Sequence, residues 1–263
     1  IFLLANTQVR QGDLPPAQVA YQKVISWHPT NYEAHNNLGS VLQDQGDYLG
    51  ALEHHQAAIK LKPDFELAYL NLSNALVELD RHHDALNLLS TCLVHCNSAK
   101  VQHEIGSVYQ HLGQMPQARQ AYLSAISINP REGKSYRHLV EITKIDNSEK
   151  IDLMSLVSGA CQLENITLES KEHLNFALAK LLDSLKDYGG AFSAYKVGND
   201  LHRKSVKYKG SEGEALFKII KSVYNKNSTM NVGGVISSDS RPIFILGMPR
   251  SGTTLVEQII SSH

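Results

Sequence analysis

Cysteine is scarce: Cys92, Cys96 and Cys161 are the only three in 263 residues. An odd and sparse set argues against a disulfide framework and fits a reducing compartment, so the cytoplasm is the expected location. Charge of one sign is lacking too, with 25 Lys and Arg against 26 Asp and Glu, a net of −1. No global field draws in nucleic acid or an anionic membrane, and neither is expected as a partner. No uninterrupted apolar stretch reaches the roughly 18 residues that a membrane helix requires. An initiating methionine is also missing: the chain opens at Ile1 and stops at His263 inside a motif. It reads as an excerpt, so the lack of a signal peptide in it says nothing about a longer protein. What remains is an ordinary globular composition, 42% hydrophobic and 19% charged, long enough for one large domain or two.

The chain is rich in repetition. Ala17, Ala51 and Ala85 recur at 34 residues, and Ala118 follows after 33. Gly12, Gly46, Asp80 and Gly113 keep the same step. So do Leu4, Leu38, Leu72 and Ile105, each followed by a small residue: Ala5, Gly39, Ser73 and Gly106. Pro29 and Pro63 are in phase, Asn97 takes the third slot, and Pro130 closes the fourth. The small residue lets a second helix cross closely, and Tyr21, His55, Leu89 and Tyr122 are expected to fill the space between units. Glycine at the end of a first helix supplies a left-handed cap at little steric cost, and proline past the second helix stops it. These columns resemble the tetratricopeptide repeat, a unit of helix, turn and helix that buries its apolar face only by stacking on neighbours.

After Pro130 the period fades. Tyr136, Leu139 and Val140 begin another first helix, and Leu153, Leu156, Val157, Ala160 and Cys161 keep helical spacing in a segment that has lost phase. Thr167 or Ser170 is a candidate N-cap for the next helix. A last degenerate unit follows, with Leu178-Ala179, Asp187-Tyr188, Ala191 and Tyr195. Residues 196–226 carry eight Lys or Arg against three Asp or Glu. This basic stretch either steers an anionic nucleotide or is a solvated linker. Residues 225–241 are polar, with Gly233-Gly234 and several serines, and read as a linker.

Composition shifts again at Pro242. Ile243-Phe244-Ile245-Leu246 has the continuous apolar character of a buried strand, and Gly247-Met248-Pro249-Arg250-Ser251-Gly252-Thr253-Thr254 follows at once. Leu255, Val256, Ile259 and Ile260 then take up helical spacing. Strand, glycine-bounded loop and helix together direct backbone N–H groups and a helix dipole at a phosphate. Thr253-Thr254 stand where a triphosphate loop carries Lys-Ser/Thr, which argues against a kinase or ATPase. Arg250 is the cation inside the loop, suited to a single 5′-phosphate and to no bridging metal.

Pro249–Thr254 resembles the 5′-phosphosulfate-binding loop of the sulfotransferases, and Pro242–His263 is similar to bacterial tetratricopeptide-repeat sulfotransferases, whose catalytic domain resembles that of protein-tyrosine sulfotransferases. Leu174–Arg203 also looks like the repeat preceding the catalytic domain in that group. The resemblance implies a mainly α solenoid running into the first strand, loop and helix of an α/β sulfotransferase domain. It implies 3′-phosphoadenylyl sulfate as donor, with Arg250, Ser251, Gly252, Thr253 and Thr254 holding the 5′-phosphate, and Arg250 stabilising charge on the leaving group. No metal is implied. The family's general base and its 3′-phosphate-binding residues would lie beyond His263, so these residues alone are expected to be inactive. The expected divisions are 1–145, about four repeats and a partial fifth; 146–205, a degenerate helical repeat region; 206–241, a basic segment and linker; and 242–263, the opening of the sulfotransferase domain.

Asn37 and Asn71 sit 34 apart on first helices, with Asn6, Ser40 and Asn74 in the column three residues on. They are candidates to line a concave face and bond the backbone of an acceptor protein or peptide, the alternative being solvated asparagines. Cys92, His95 and Cys96 share a helical face, but Cys92 falls in the small-residue column of Val24, Ala58 and Ala125 and a fourth ligand is lacking, so no zinc site is expected. His54-His55 and His82-His83 read as packing or surface residues. Asn71, Asn165 and Asn227 head Asn-x-Ser/Thr triplets that matter only in a secretory context. Two other functions stay open: a non-catalytic tetratricopeptide scaffold, and the repeat arm of a peptide-modifying glycosyltransferase.

Overall fold

The computed structural model describes residues 1–143, 147–205 and 210–223. Among these residues there are thirteen helices and no strand. The chain divides into two compact units, Ile1–Lys207 and Tyr208–His263.

The first unit opens with four helical pairs: α1 (Phe2–Gln11) with α2 (Leu14–Trp27), α3 (Tyr32–Asp44) with α4 (Tyr48–Leu61), α5 (Glu66–Glu78) with α6 (His82–His95), and α7 (Ala99–His111) with α8 (Met115–Ile128). The turn inside each pair is left-handed, at Gly12 (φ 79°), Gly46 (φ 84°), Asp80 (φ 59°) and Gly113 (φ 71°). The fixed period therefore has a geometric cause, one αL residue per pair. Side-chain caps set several helix starts. Asn31 Oδ1 accepts from the Ala34 amide and Asp47 Oδ1 from the Gly50 amide, both at 2.9 Å.

The small and large columns meet inside each pair rather than only between pairs. A Cβ on Gly39 would lie 2.7 Å from the His55 ring, and one on Gly106 would lie 2.6 Å from the Tyr122 ring. Tyr122 also reaches forward, 5.5 Å between ring centroids to His138 of the next unit. A third column completes the joint, formed by Phe2, Asn36, Leu70 and His103. Phe2 packs edge-on to Tyr21 at 5.9 Å, Asn36 Oδ1 accepts from His55 Nδ1 at 3.0 Å, and His103 lies 5.3 Å from Tyr122.

Beyond Pro130 the pairing changes. Helix α9 (Gly133–Ile142) packs along α11 (Leu168–Ser184), with α10 (Asn147–Cys161) between them in sequence. The Gly133 amide donates to Ser170 Oγ at 3.2 Å, and a Cβ on Gly133 would run into the Ser170 carbonyl. Thr167 is the N-cap of α11, accepting from the Ser170 amide at 3.1 Å, which leaves the Ser170 hydroxyl for α9. Leu153, Val157 and Ala160 of α10 join Tyr136, Leu139, Leu174 and Leu181 in one apolar core, whereas Cys161 is exposed. Helix α12 (Tyr188–Ser205) closes the unit, its turn carried by Lys186 at φ 66°.

In the second unit, α13 (Gly210–Val223) falls inside the segment read as basic segment and linker. Leu216, Ile219, Ile220 and Val223 have the spacing of an amphipathic helix, a signal masked by the lysines around it. The strand expected at Ile243–Leu246 and the loop after it lie outside the described residues.

Candidate functional site on the first-helix face

First helices α3, α5, α7, α9 and α11 share a face on which polar side chains accumulate. Asn37 Nδ2 donates to Asn6 Oδ1 at 3.4 Å, one unit back. Asn71 Nδ2 donates to Asn36 Oδ1 at 3.1 Å and to Ser40 Oγ at 3.2 Å, again one unit back. Both asparagines thus link neighbouring units, and each keeps a side-chain oxygen outside those bonds. Asn36 was not singled out from the sequence, although a polar residue in the column of Phe2 and Leu70 is a legible sign of a buried partner. It is 1% exposed and accepts from both His55 and Asn71.

Two cavities open on this face. The smaller, about 340 Å³, is lined by Asn6, Tyr21, Asn37 and Ser40 among others. The larger, about 640 Å³, takes Asn71 and Asn74 from α5, Lys100, His103 and Glu104 from α7, Lys134 from α9, and Glu169 and His173 from α11. The expected peptide-binding residues are therefore divided between the two, Asn37 in one and Asn71 with Asn74 in the other.

The larger cavity has an ordered electrostatic lining. Lys134 Nζ pairs with Glu169 Oε1 at 3.1 Å, which lowers the Glu169 carboxyl below its ordinary range. The Ser135 hydroxyl donates to Glu132 Oε2 at 2.6 Å, so its oxygen accepts from His103 Nδ1 at 2.9 Å. That assigns the Nδ1–H tautomer to His103 and leaves Nε2 as an acceptor. Burial, with Lys134 and two histidines nearby, pushes His103 down to about 3, so the ring is neutral at neutral pH. Burial also raises Glu104, which makes no ion pair among the described residues. His173 is lowered by burial, and its Nδ1 has no hydrogen-bond partner among the described residues. Such a lining combines hydrogen-bond donors, acceptors and both charge signs. Its parts come from four first helices far apart in sequence, and no local motif announces it. Among the described residues no three His, Cys, Asp or Glu converge as metal ligands, and no helix is long and apolar enough to cross a membrane.

Arg250, Ser251, Gly252, Thr253 and Thr254 lie outside the described residues.

Stacked helical pairs with one αL turn each and a 34-residue step define a tetratricopeptide-repeat solenoid. Tetratricopeptide-repeat family models match residues 32–65 and 99–132, and the sulfotransferase family model matches residues 242–263. PilF of Pseudomonas aeruginosa shares the fold at a TM-score of 0.57 and 17% identity, over 81% of this chain and 95% of that one. The type IV pilus biogenesis factor PilW does so at 0.55 and 17%, over 73% and 88%. An uncharacterized protein of Aquifex aeolicus is 26% identical over 223 residues, 84% of this chain and 29% of its own length. The Drosophila melanogaster protein O-mannosyl-transferase Tmtc3 is 25% identical over 161 residues, 60% of this chain and 17% of its own. The chain spans under a third of the length of these curated relatives.

Proposed function

We propose that this chain is the acceptor-binding arm and the opening catalytic segment of a sulfotransferase. The observation that carries this reading is the sulfotransferase family match at residues 242–263, on a segment whose sequence reads as strand, loop and helix. The donor set suits 3′-phosphoadenylyl sulfate. Arg250, the hydroxyls of Ser251, Thr253 and Thr254, and the loop amides around Gly252 all donate, as a single 5′-phosphate requires, and the lysine that reaches outer phosphates is missing. An acceptor hydroxyl attacks sulfur in line, and adenosine 3′,5′-bisphosphate leaves. Arg250 stabilises the charge that gathers on its 5′-phosphate. The acceptor is a peptide or protein side chain, tyrosine among the candidates, held by Asn71 and Asn74 in the larger cavity and by Asn37 in the smaller. The reaction takes place in the cytoplasm and uses no metal.

The test uses the protein with a full sulfotransferase domain following residue 242. Adenosine 3′,5′-bisphosphate is expected to bind without Mg²⁺ and MgATP far more weakly. Arg250→Ala lowers donor affinity and turnover, by about 10²–10³ in rate for one lost transition-state donor. Arg250→Lys keeps part of each, because lysine restores charge without the planar fork. Asn37→Ala with Asn71→Ala weakens an acceptor peptide and leaves donor binding unchanged. Mg²⁺-dependent ATP binding that survives loss of Arg250 would overturn the reading. Absence of any nucleotide binding would favour a scaffold, the second reading, which the built cavity in the repeats also suits.

A further inference from the structure

The links between successive units differ in one place. The links after α2, α4 and α8 carry Pro29, Pro63 and Pro130, and the link after α6 carries Asn97 instead. That same link holds two thiols. Cys92, in the last turn of α6, is 1% exposed. Cys96 caps the helix with extended backbone, φ −144° and ψ 130°, and is half-buried. Their Sγ atoms are 3.2 Å apart, and the Cys96 thiol lies 3.2 Å from the Cys92 carbonyl oxygen. Helical spacing of four residues puts the two Cα atoms about 6 Å apart, inside the span a disulfide bridges.

We propose that Cys92 and Cys96 are a peroxide-responsive modification site that closes to a reversible disulfide across the α6–α7 link. Cys96 is the accessible sulfur and reacts first. Its sulfur bonds to one peroxide oxygen as the O–O bond breaks, and the thiol proton leaves with the departing hydroxide as water. Cys92 Sγ then attacks the Cys96 sulfenic acid: the S–S bond forms, the S–O bond breaks, and the hydroxyl leaves as water with the Cys92 proton. Two thiols are oxidised and one hydroperoxide is reduced. Burial and the neighbouring thiol raise Cys92 strongly, which disfavours it as the first sulfur to react. Its part in the second step rests on its Sγ lying 3.2 Å from that of Cys96. The bond ties the end of α6 to the link that aims α7, the helix that brings Lys100, His103 and Glu104 to the larger cavity.

The chain is treated with hydrogen peroxide, digested without reductant and read by mass spectrometry. A peptide containing both residues, lighter by two hydrogens and restored by dithiothreitol, is expected. Amide exchange at residues 96–99 slows in the oxidised form. Cys92→Ala places at this column the residue that Ala58 and Ala125 already supply; in that variant Cys96 is trapped by dimedone as the sulfenic acid. Cys96→Ser abolishes the link, and Cys161→Ser leaves it intact. Conversion of Cys96 to sulfinic acid with Cys92 still free, or disulfides through Cys161 alone, would overturn the proposal.

Discussion

His55 lies against Gly39 so closely that no side chain fits between them, and the same holds for Tyr122 and Gly106. Ser73 and Leu89 occupy the same two columns in the third unit, both fully buried, a larger small residue set with a smaller large one. Overpacking at such a crossing typically destabilises by about 1–3 kcal/mol. Gly39→Leu is therefore expected to lower the melting temperature. Gly39→Ser alone should do so less severely, and Gly39→Ser with His55→Leu should recover most of the loss. Equal melting of the double variant and Gly39→Ser would show that the two columns are not coupled.

His55 also gives the solenoid a pH dependence. In the unfolded chain it titrates near its ordinary 6.5, and in the folded chain burial and the nearby His54 hold it at about 4. Between those values the unfolded chain binds a proton that the native one does not. Its stabilising effect is complete above pH 6.5 and falls as pH drops through that window, at up to about 1.4 kcal/mol per unit. His103 acts in the same direction, its folded value being about 3. Urea unfolding at pH 7 and pH 5 reads the difference, and His55→Leu should shrink it. An unchanged difference in that variant would remove His55 from the effect.

At the scale of elements, the turns show where the repeat has been relaxed. Three of the first four pairs place glycine in the left-handed region, but Asp80 and Lys186 adopt it with side chains. Asp80 is compensated in part, its carboxylate lying 3.2 Å from His82 Nδ1. Lysine has no short polar group to offer its own backbone, so Lys186 carries the larger strain. Lys186→Gly should raise stability by up to about 1 kcal/mol in thermal melts, with the αL relief exceeding the added entropy of the unfolded chain. Asp80→Gly should gain less. A loss of stability in Lys186→Gly would mean the strain is absent. The pairs up to Pro130 were legible in the sequence because a fixed period repeats one geometric solution, so each column is read several times. The partnership of α9 with α11 was not legible. It turns on one close approach, Gly133 at Ser170, between residues 37 apart with no repeat to announce it. Ser170 was read as a possible cap, and its hydroxyl instead serves another helix.

At the scale of the whole molecule, the candidate site divides in the same way. The asparagine column was visible because it keeps the period, yet its members bond to one another across units, which no single-unit pattern encodes. The larger cavity was invisible, because its lining depends on how four units register. Among the described residues the buried apolar side chains fall into three groups, around Tyr21 and Leu38, around Leu72 and Leu89, and around Tyr122 and Leu139. Each group draws on helices that are near neighbours in sequence, so the chain holds itself together by a series of local seams. A load applied through its ends meets those seams one after another. Under such a load the repeats are expected to open by increments, each 34-residue unit yielding at most about 120 Å of extended chain, which a force-extension trace would read as successive steps.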